Sequence, residues 1–350
     1  MKYIFPILIL ILLVACEDSP SDPPVTEPAT SGILVLNEGL FGQSNSGFTV
    51  QNLSNRETTS NPYYAKNGHE LGDTGNSMVI SGERVYVCVT NSNKVEVVSL
   101  ANFESLGFIN LGENGSPREI AVLNDSIIYV TSLYRNSVMK INTNQKTILK
   151  EITVGELPEG IILAEGKLFV ANSNFGAGNT LSVIDLTTDS VVDEVFVGFN
   201  PRVLMQDNSF VYAVCSGIYD ETGRGGLYKI NPVSLLVSDS LIINGNPGET
   251  AYDGSGFVYI ANNGGVHKVG LSDLSENEIG IPLIPGSEIN QHYNVIYSLF
   301  FDEDDKILYA GNPENFVQNG TVVSFDEAGT RLDEFNCGLN PGTILKFSIN

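Results

Sequence analysis

The residues able to do chemistry in this chain are few and scattered. Three histidines are available as metal ligands or proton carriers, His69, His267 and His292. His267 lies inside an apolar run and reads as structural, whereas His69 and His292 fall in connecting stretches away from any ligand cluster. The acidic run Asp302-Glu303-Asp304-Asp305 lacks the alternating Asp/Asn-x-Asp-x-Gly pattern of a calcium loop and reads as a solvated hairpin. No G-x-S-x-G nucleophile elbow occurs, and Gly160 to Lys167 has the wrong spacing for a phosphate loop. Of four cysteines, Cys88 and Cys215 fall in apolar runs as small hydrophobes, and Cys337 sits at a strand end. Their spacing gives neither a disulfide framework nor a metal site. No catalytic residue, metal or cofactor is expected, and the chain reads as non-enzymatic.

What remains is recognition chemistry. Phe41, Tyr134, Phe175, Tyr219, Tyr293 and Phe316 stand in polar, glycine-rich stretches, with Arg118, Arg135, Arg202 and Arg224 nearby. Such aromatics have two readings: each packs under its own loop, or several together form an open platform. Each aromatic can bury roughly 150–250 Å², so three or four would suffice for a small-molecule site. Asn172 belongs to a series with Asn37, Asn262 and Asn312. Asparagine tolerates left-handed backbone and bonds its neighbours in turns, so a turn role stands ahead of ligand contact for this series.

The elements that must position these side chains are strands. In Pro158 to Gly198, four apolar runs (Ile161–Ala164, Leu168–Ala171, Leu181–Asp185 and Val191–Val197) are separated by Gly, Asn, Asp and Thr turns. The unit recurs. An aromatic marks the second strand of most copies, at Tyr86, Tyr129, Phe169, Tyr212, Tyr259 and Tyr309, with Leu34 in the first. The spacing is that of a four-stranded propeller blade. A proline introduces strand one at Pro117, Pro158, Pro201, Pro247 and Pro341. The array begins at Ile33–Asn37, which matches strand two, and stops at Leu339–Phe347, which matches strand one. The last strand therefore completes the first blade and removes the open edges of the array. The expected fold is all-β: a seven-bladed β-propeller of four-stranded blades. No window shows helical periodicity.

This geometry sorts the loops. Connections from strand two to three, and from strand four to the next strand one, share the channel face. They are the long, variable ones: Asn37–Gly47, Asn172–Asn179, Cys215–Gly226, Pro285–Asn294 and Asn312–Asn319. Arg118 and Arg202 follow proline at equivalent positions near the channel mouth, and Glu159 and Glu249 fall at or beside that position in other blades. A ring of both signs either bonds a polar ligand or pairs with itself.

The chain carries 18 basic against 41 acidic residues. Nucleic-acid binding needs clustered Lys and Arg, and no cluster exists, so no nucleic-acid partner is expected. At the N-terminus, Lys2 precedes an apolar run from Ile4 to Val14 of signal-peptide length, ending in Leu13-Val14-Ala15-Cys16. This resembles the bacterial lipobox, which implies lipidation of Cys16 and membrane attachment through the lipid alone. The expected divisions are a signal peptide (1–15), the lipidated cysteine with an acidic Pro/Ser tether (16–31) and the propeller (32–350). Acidic residues after that cysteine resemble the surface-export signal of Bacteroidetes-type bacteria. The resemblance implies an outer-membrane, surface-exposed protein, a periplasm-facing one being the alternative.

Leu168-Phe169-Val170-Ala171-Asn172, Asn179–Asp185 and Val195-Phe196-Val197-Gly198 resemble the YVTN-type propeller family across most of residues 33–350. Val35–Gly39, Phe41-Gly42-Gln43, Leu71–Thr74 and Asn76-Ser77-Met78 resemble the opening of Bacteroidetes lipoprotein propellers. Some members of that group capture vitamin B12 beside a TonB-dependent transporter. The resemblance implies a surface protein that binds a small molecule, with cobalamin as the ligand suggested by the family, and passes it to such a transporter. The other readings are an envelope protein- or glycan-binding propeller and a lactonase-type hydrolase.

Overall fold

The computed structural model describes residues 31–218, 224–277 and 279–349. The signal, tether and lipidation expectations, through Cys16 and up to residue 30, lie outside the described residues. Seven four-stranded antiparallel sheets form a closed ring of blades. Blade one contains β1 (Ser31–Asn37), β2 (Gly47–Asn52) and β3 (Thr58–Ser60), with the last strand, β28 (Pro341–Ser348), as its inner strand. Blades two to seven begin with inner strands β4 (Gly75–Ser81), β8 (Pro117–Asn124), β12 (Pro158–Ala164), β16 (Pro201–Gln206), β20 (Thr250–Tyr252) and β24 (Ser298–Asp302). The expected closure is what the chain does: β1 pairs antiparallel with β28 from Ser31 opposite Ser348 to Asn37 opposite Pro341. The four strands expected in Pro158 to Gly198 are present: the first and third begin earlier, the second is longer by one residue at each end, and the fourth is shifted back by one residue.

There is no single core. The buried apolar residues form seven clusters, one at each blade–blade interface, and the repeating residue of strand two anchors each. Tyr129 of blade three packs with Ile161 and Leu168 of blade four. Phe169 meets Val211 and Ala213 of blade five. Tyr212 meets Val258 and Ile260, and Tyr259 meets Leu308. At the seam, Tyr309 of blade seven packs with Ile33 and Val35 of blade one. A β-strand turns alternate residues to opposite faces, so one position per repeat suffices to join every blade to the next.

Among the described residues helix is nearly absent, as expected, and one expectation needs correction. The short helix α1 (Pro62–Asn67) follows β3, started by Pro62 and the Asn61 side chain, which accepts from the Tyr64 amide. Its Tyr63 is fully buried and donates to Glu96 Oε1 at 3.0 Å, so a tertiary contact holds a turn too short for a periodic signal. Cys337 lies inside a strand, β27 (Arg331–Leu339), rather than at its end. Cys88, Cys215 and Cys337 are buried free thiols, and burial pushes all three up in pKa.

Candidate functional site: the channel mouth

The inner strands of six blades, and in blade six the segment just before β20, enclose a central channel with a cavity of about 810 Å³. What faces it is set by a backbone irregularity. In blades two to five the inner strand breaks register with its neighbour directly after its first residue. The shifts fall between Gly75 and Ser77, Pro117 and Ile120, Pro158 and Ile161, and Pro201 and Val203. In blade one the same break leaves Gly342 unpaired. A β-bulge re-aims side chains. Here it aims Asn76, Arg118, Glu119, Glu159 and Arg202 into the lumen.

The residue before each bulge is left-handed: Thr74 (φ 63°), Ser116 (φ 32°), Leu157 (φ 48°), Asn200 (φ 58°) and Asn340 (φ 56°). Non-glycine residues rarely adopt this backbone, and a residue before proline favours extended backbone instead. Side-chain hydroxyls hold the turns. Thr90 donates to the Pro117 carbonyl at 2.7 Å, Thr131 to the Glu159 carbonyl at 2.8 Å, and Ser173 to the Leu157 carbonyl at 2.9 Å. Strain of this kind persists only where the surroundings over-determine it.

The charged ring is partly self-paired. Arg118 Nε donates to Glu159 Oε2 at 2.7 Å, and its Nη1 donates to Asn76 Oδ1. Burial would lower Arg118, but the Glu159 charge and hydrogen bond hold it above its ordinary pKa. Glu38, from the loop after β1, reaches over the inner strand of blade one. A Cβ on Gly342 would stand 2.7 Å from Glu38 Oε1, so only glycine leaves room. Tyr297, just before β24, donates to Glu38 Oε2 at 2.7 Å. Burial pushes Glu38 up to about 7 and Glu119 up to about 8, and it raises Glu249 as well. The charges of Arg118 and Arg202 work against each of these shifts in part, except that Arg202 is not among the main influences on Glu119.

The expected site residues fall into three groups. Arg118 and Arg202 line the channel, as do Glu159 and Glu249. Phe41, Tyr134, Phe175, Tyr293 and Phe316 stand on channel-face loops, from 40% exposed at Phe316 to 80% at Phe41. Phe316 touches Tyr297 edge to face, at 6.0 Å between ring centres, which joins the loop layer to the channel wall. Asn172 is 2% exposed and lies within blade four, where its amide donates to Thr180 Oγ1 and Ser182 Oγ at 3.0 Å each. Asn37 and Asn312 make the corresponding bond to Thr49 and Thr321. Tyr219 lies outside the described residues. Sequence reasoning missed Glu38, Glu119 and Tyr297 as channel residues. Glu119 follows Arg118 directly, and strict strand alternation would have turned it away.

Among the described residues no three His, Cys, Asp or Glu side chains are placed to hold a metal ion. Asp302–Asp305 forms a strand one–two turn, and Lys346 of β28 pairs with Asp302, Asp304 and Asp305 at 2.8, 3.3 and 2.9 Å.

Residues 31–255 match the family described as a domain of unknown function, DUF5074. No curated protein matches the chain. Among solved structures it is similar to a quinoprotein alcohol dehydrogenase-like protein from Bacteroides thetaiotaomicron. The TM-score is 0.66 at 16% identity, covering 91% of this chain and 78% of that one. It is also similar to Kuenenia stuttgartiensis hydrazine synthase, with a TM-score of 0.60 at 17% identity, covering 79% and 96%. At such identities the likeness is one of fold.

Proposed function

The chain belongs to the DUF5074 family of domains of unknown function, and from that premise we propose that it is a non-enzymatic, ligand-capturing propeller. Its ligand lies across the channel mouth on the loop aromatics, above the charged ring. A corrinoid is the ligand that the sequence resemblance implies. In this reading the chain is held by lipid at Cys16 on the outer surface of the outer membrane and passes its ligand to a TonB-dependent transporter. The fold likeness to a Bacteroides protein accords with that setting.

The observation that carries the reading is the exposure of Phe41, Tyr134, Phe175, Tyr293 and Phe316 on one face. A soluble protein rarely leaves large apolar side chains gathered and uncovered unless something docks there. Aromatic faces suit a flat, conjugated ligand, and Asn263 and Asn294 of the cavity lining carry amide groups for hydrogen bonds.

The test is calorimetric titration of cyanocobalamin into the purified full chain. Saturable binding at one site per chain, weakened by Phe175→Ala and by Tyr293→Ala, is expected. Absence of heat and of any thermal shift at high excess would remove the corrinoid.

A further inference from the structure

The channel beneath the mouth has a charge imbalance that the aromatic face does not explain. Among the described residues four carboxylates line it, those of Glu38, Glu119, Glu159 and Glu249, against two guanidinium groups, those of Arg118 and Arg202. One of the four, Glu159, is taken up by Arg118. The remaining acids come from non-adjacent blades: Glu38 from blade one, Glu119 from blade three and Glu249 from blade six. They are near enough across the lumen for the Glu249 charge to push up both Glu38 and Glu119.

We propose that the channel is itself a binding site for a small organic dication of the alkyl diamine class, held between carboxylates on opposite walls. Two ammonium groups on a flexible chain match an excess of two negative charges in an 810 Å³ space. A compact metal ion does not match it. Calcium wants six to eight oxygens at about 2.3–2.6 Å, and the carboxylates here are spread around the wall. Tyr297 and Phe300 also line the space, as do the amides of Asn246, Asn262 and Asn263. The inner strands are pinned to one another, so the site is preorganised. The chain's net charge of −23 raises the local concentration of cations at such an opening.

The site is sensitive to pH through its own lining. Among the described residues the titratable groups facing the lumen are Glu38, Arg118, Glu119, Glu159, Arg202, Glu249 and Tyr297. As pH falls from 8.5 to 6, Glu119 and then Glu38 take up protons, and the negative excess disappears. Diamine affinity therefore falls with it.

The experiment is calorimetric titration of the purified full chain with 1,4-diaminobutane, with 1,4-butanediol as the uncharged match. At pH 8.5 the diamine binds once per chain and the diol does not. Affinity drops at least tenfold at pH 6, and at least tenfold in Glu119→Gln at pH 8.5. If Glu119→Gln does not fold, as judged by its thermal transition, Glu249→Gln serves in its place. Equal binding of the diol, no heat with the diamine, or unchanged affinity in a folded variant each overturns the proposal. This site stands apart from the corrinoid reading. A chain that binds the diamine and not cyanocobalamin keeps the first and loses the second, and the reverse result does the opposite.

Discussion

The Tyr297 hydroxyl donates to Glu38 Oε2 at 2.7 Å, joining two residues 259 positions apart across the seam where the last blade meets the first. The bond sits at the wall of the channel, so closing the ring and building the site are one event. Tyr297→Phe removes the donor while keeping the ring. A hydrogen bond to an acidic group contributes about 1.5–3 kcal/mol. The variant is expected to lose stability near the lower end of that range, and Glu38 is expected to titrate at higher pH. Denaturant unfolding and carbonyl-resolved NMR titration check the two effects, and an unchanged Glu38 would refute the coupling.

Stability should fall as pH rises through the neutral range. Glu38 and Glu119 have folded pKa values of about 7 and about 8, against an ordinary value of 4.5. Between 4.5 and those values the folded chain holds protons that the unfolded chain has released, and stability declines with pH wherever that is so. The contribution is complete below about pH 4.5 and gone above about pH 8, on the order of 8 kcal/mol in all at about 1.4 kcal/mol for each pH unit between the ordinary and the folded values. Chemical denaturation at pH 6 and pH 8.5 measures it. Glu38→Gln combined with Glu119→Gln should flatten the profile, and an equally steep profile would place the titration elsewhere.

Two phenylalanines six residues apart should behave oppositely. Phe169 is fully buried at the interface of blades four and five, and Phe169→Ala should cost about 3–5 kcal/mol. Phe175 is 61% exposed at the tip of the next loop. Phe175→Ala should leave the melting temperature within a degree or two while weakening ligand capture. A large loss of stability at Phe175 would mean that it packs beneath its loop in solution.

Removal of residues 338–350 takes away β28 and leaves β1 with a bare edge. Exposed strand edges template association. The truncated chain is expected to aggregate, and light scattering after refolding measures this. A monomer with one cooperative transition would contradict closure as the source of stability.

Lys346 is the hub of three carboxylates on the face opposite the mouth, and those contacts raise its pKa although burial opposes them. Asp302 is buried there, whereas Asp304 and Asp305 are exposed and screened. Lys346→Met should therefore destabilise by about 1–3 kcal/mol, mostly through Asp302, with little dependence on salt. A loss that vanishes in 0.5 M salt would assign the effect to the exposed pair instead.

Much of this protein was legible before folding was considered. The blade count, the four-strand repeat and the circular closure follow from local, periodic features. Each strand alternates by twos, each turn carries its own Gly, Asn or Asp, and one aromatic per repeat marks the interface between blades. The exposed aromatics were legible as loop residues because the connections that carry them are long and polar. The channel lining was not. A bulge after Pro117, Pro158, Pro201 and Pro341 re-aims the strand, so that consecutive residues such as Arg118 and Glu119 face the same lumen, and alternation predicts the reverse. The left-handed residues that set up those bulges include Thr74 and Leu157, types that give no such signal in a sequence. Glu38 reaches the channel because Gly342, some 300 residues later, has no side chain to block it. Periodicity in the chain thus determined the ring, because each blade repeats the same short-range pattern. Only the tertiary structure decided what the ring encloses, because those positions depend on backbone irregularities and on contacts between ends of the chain that meet only when it closes.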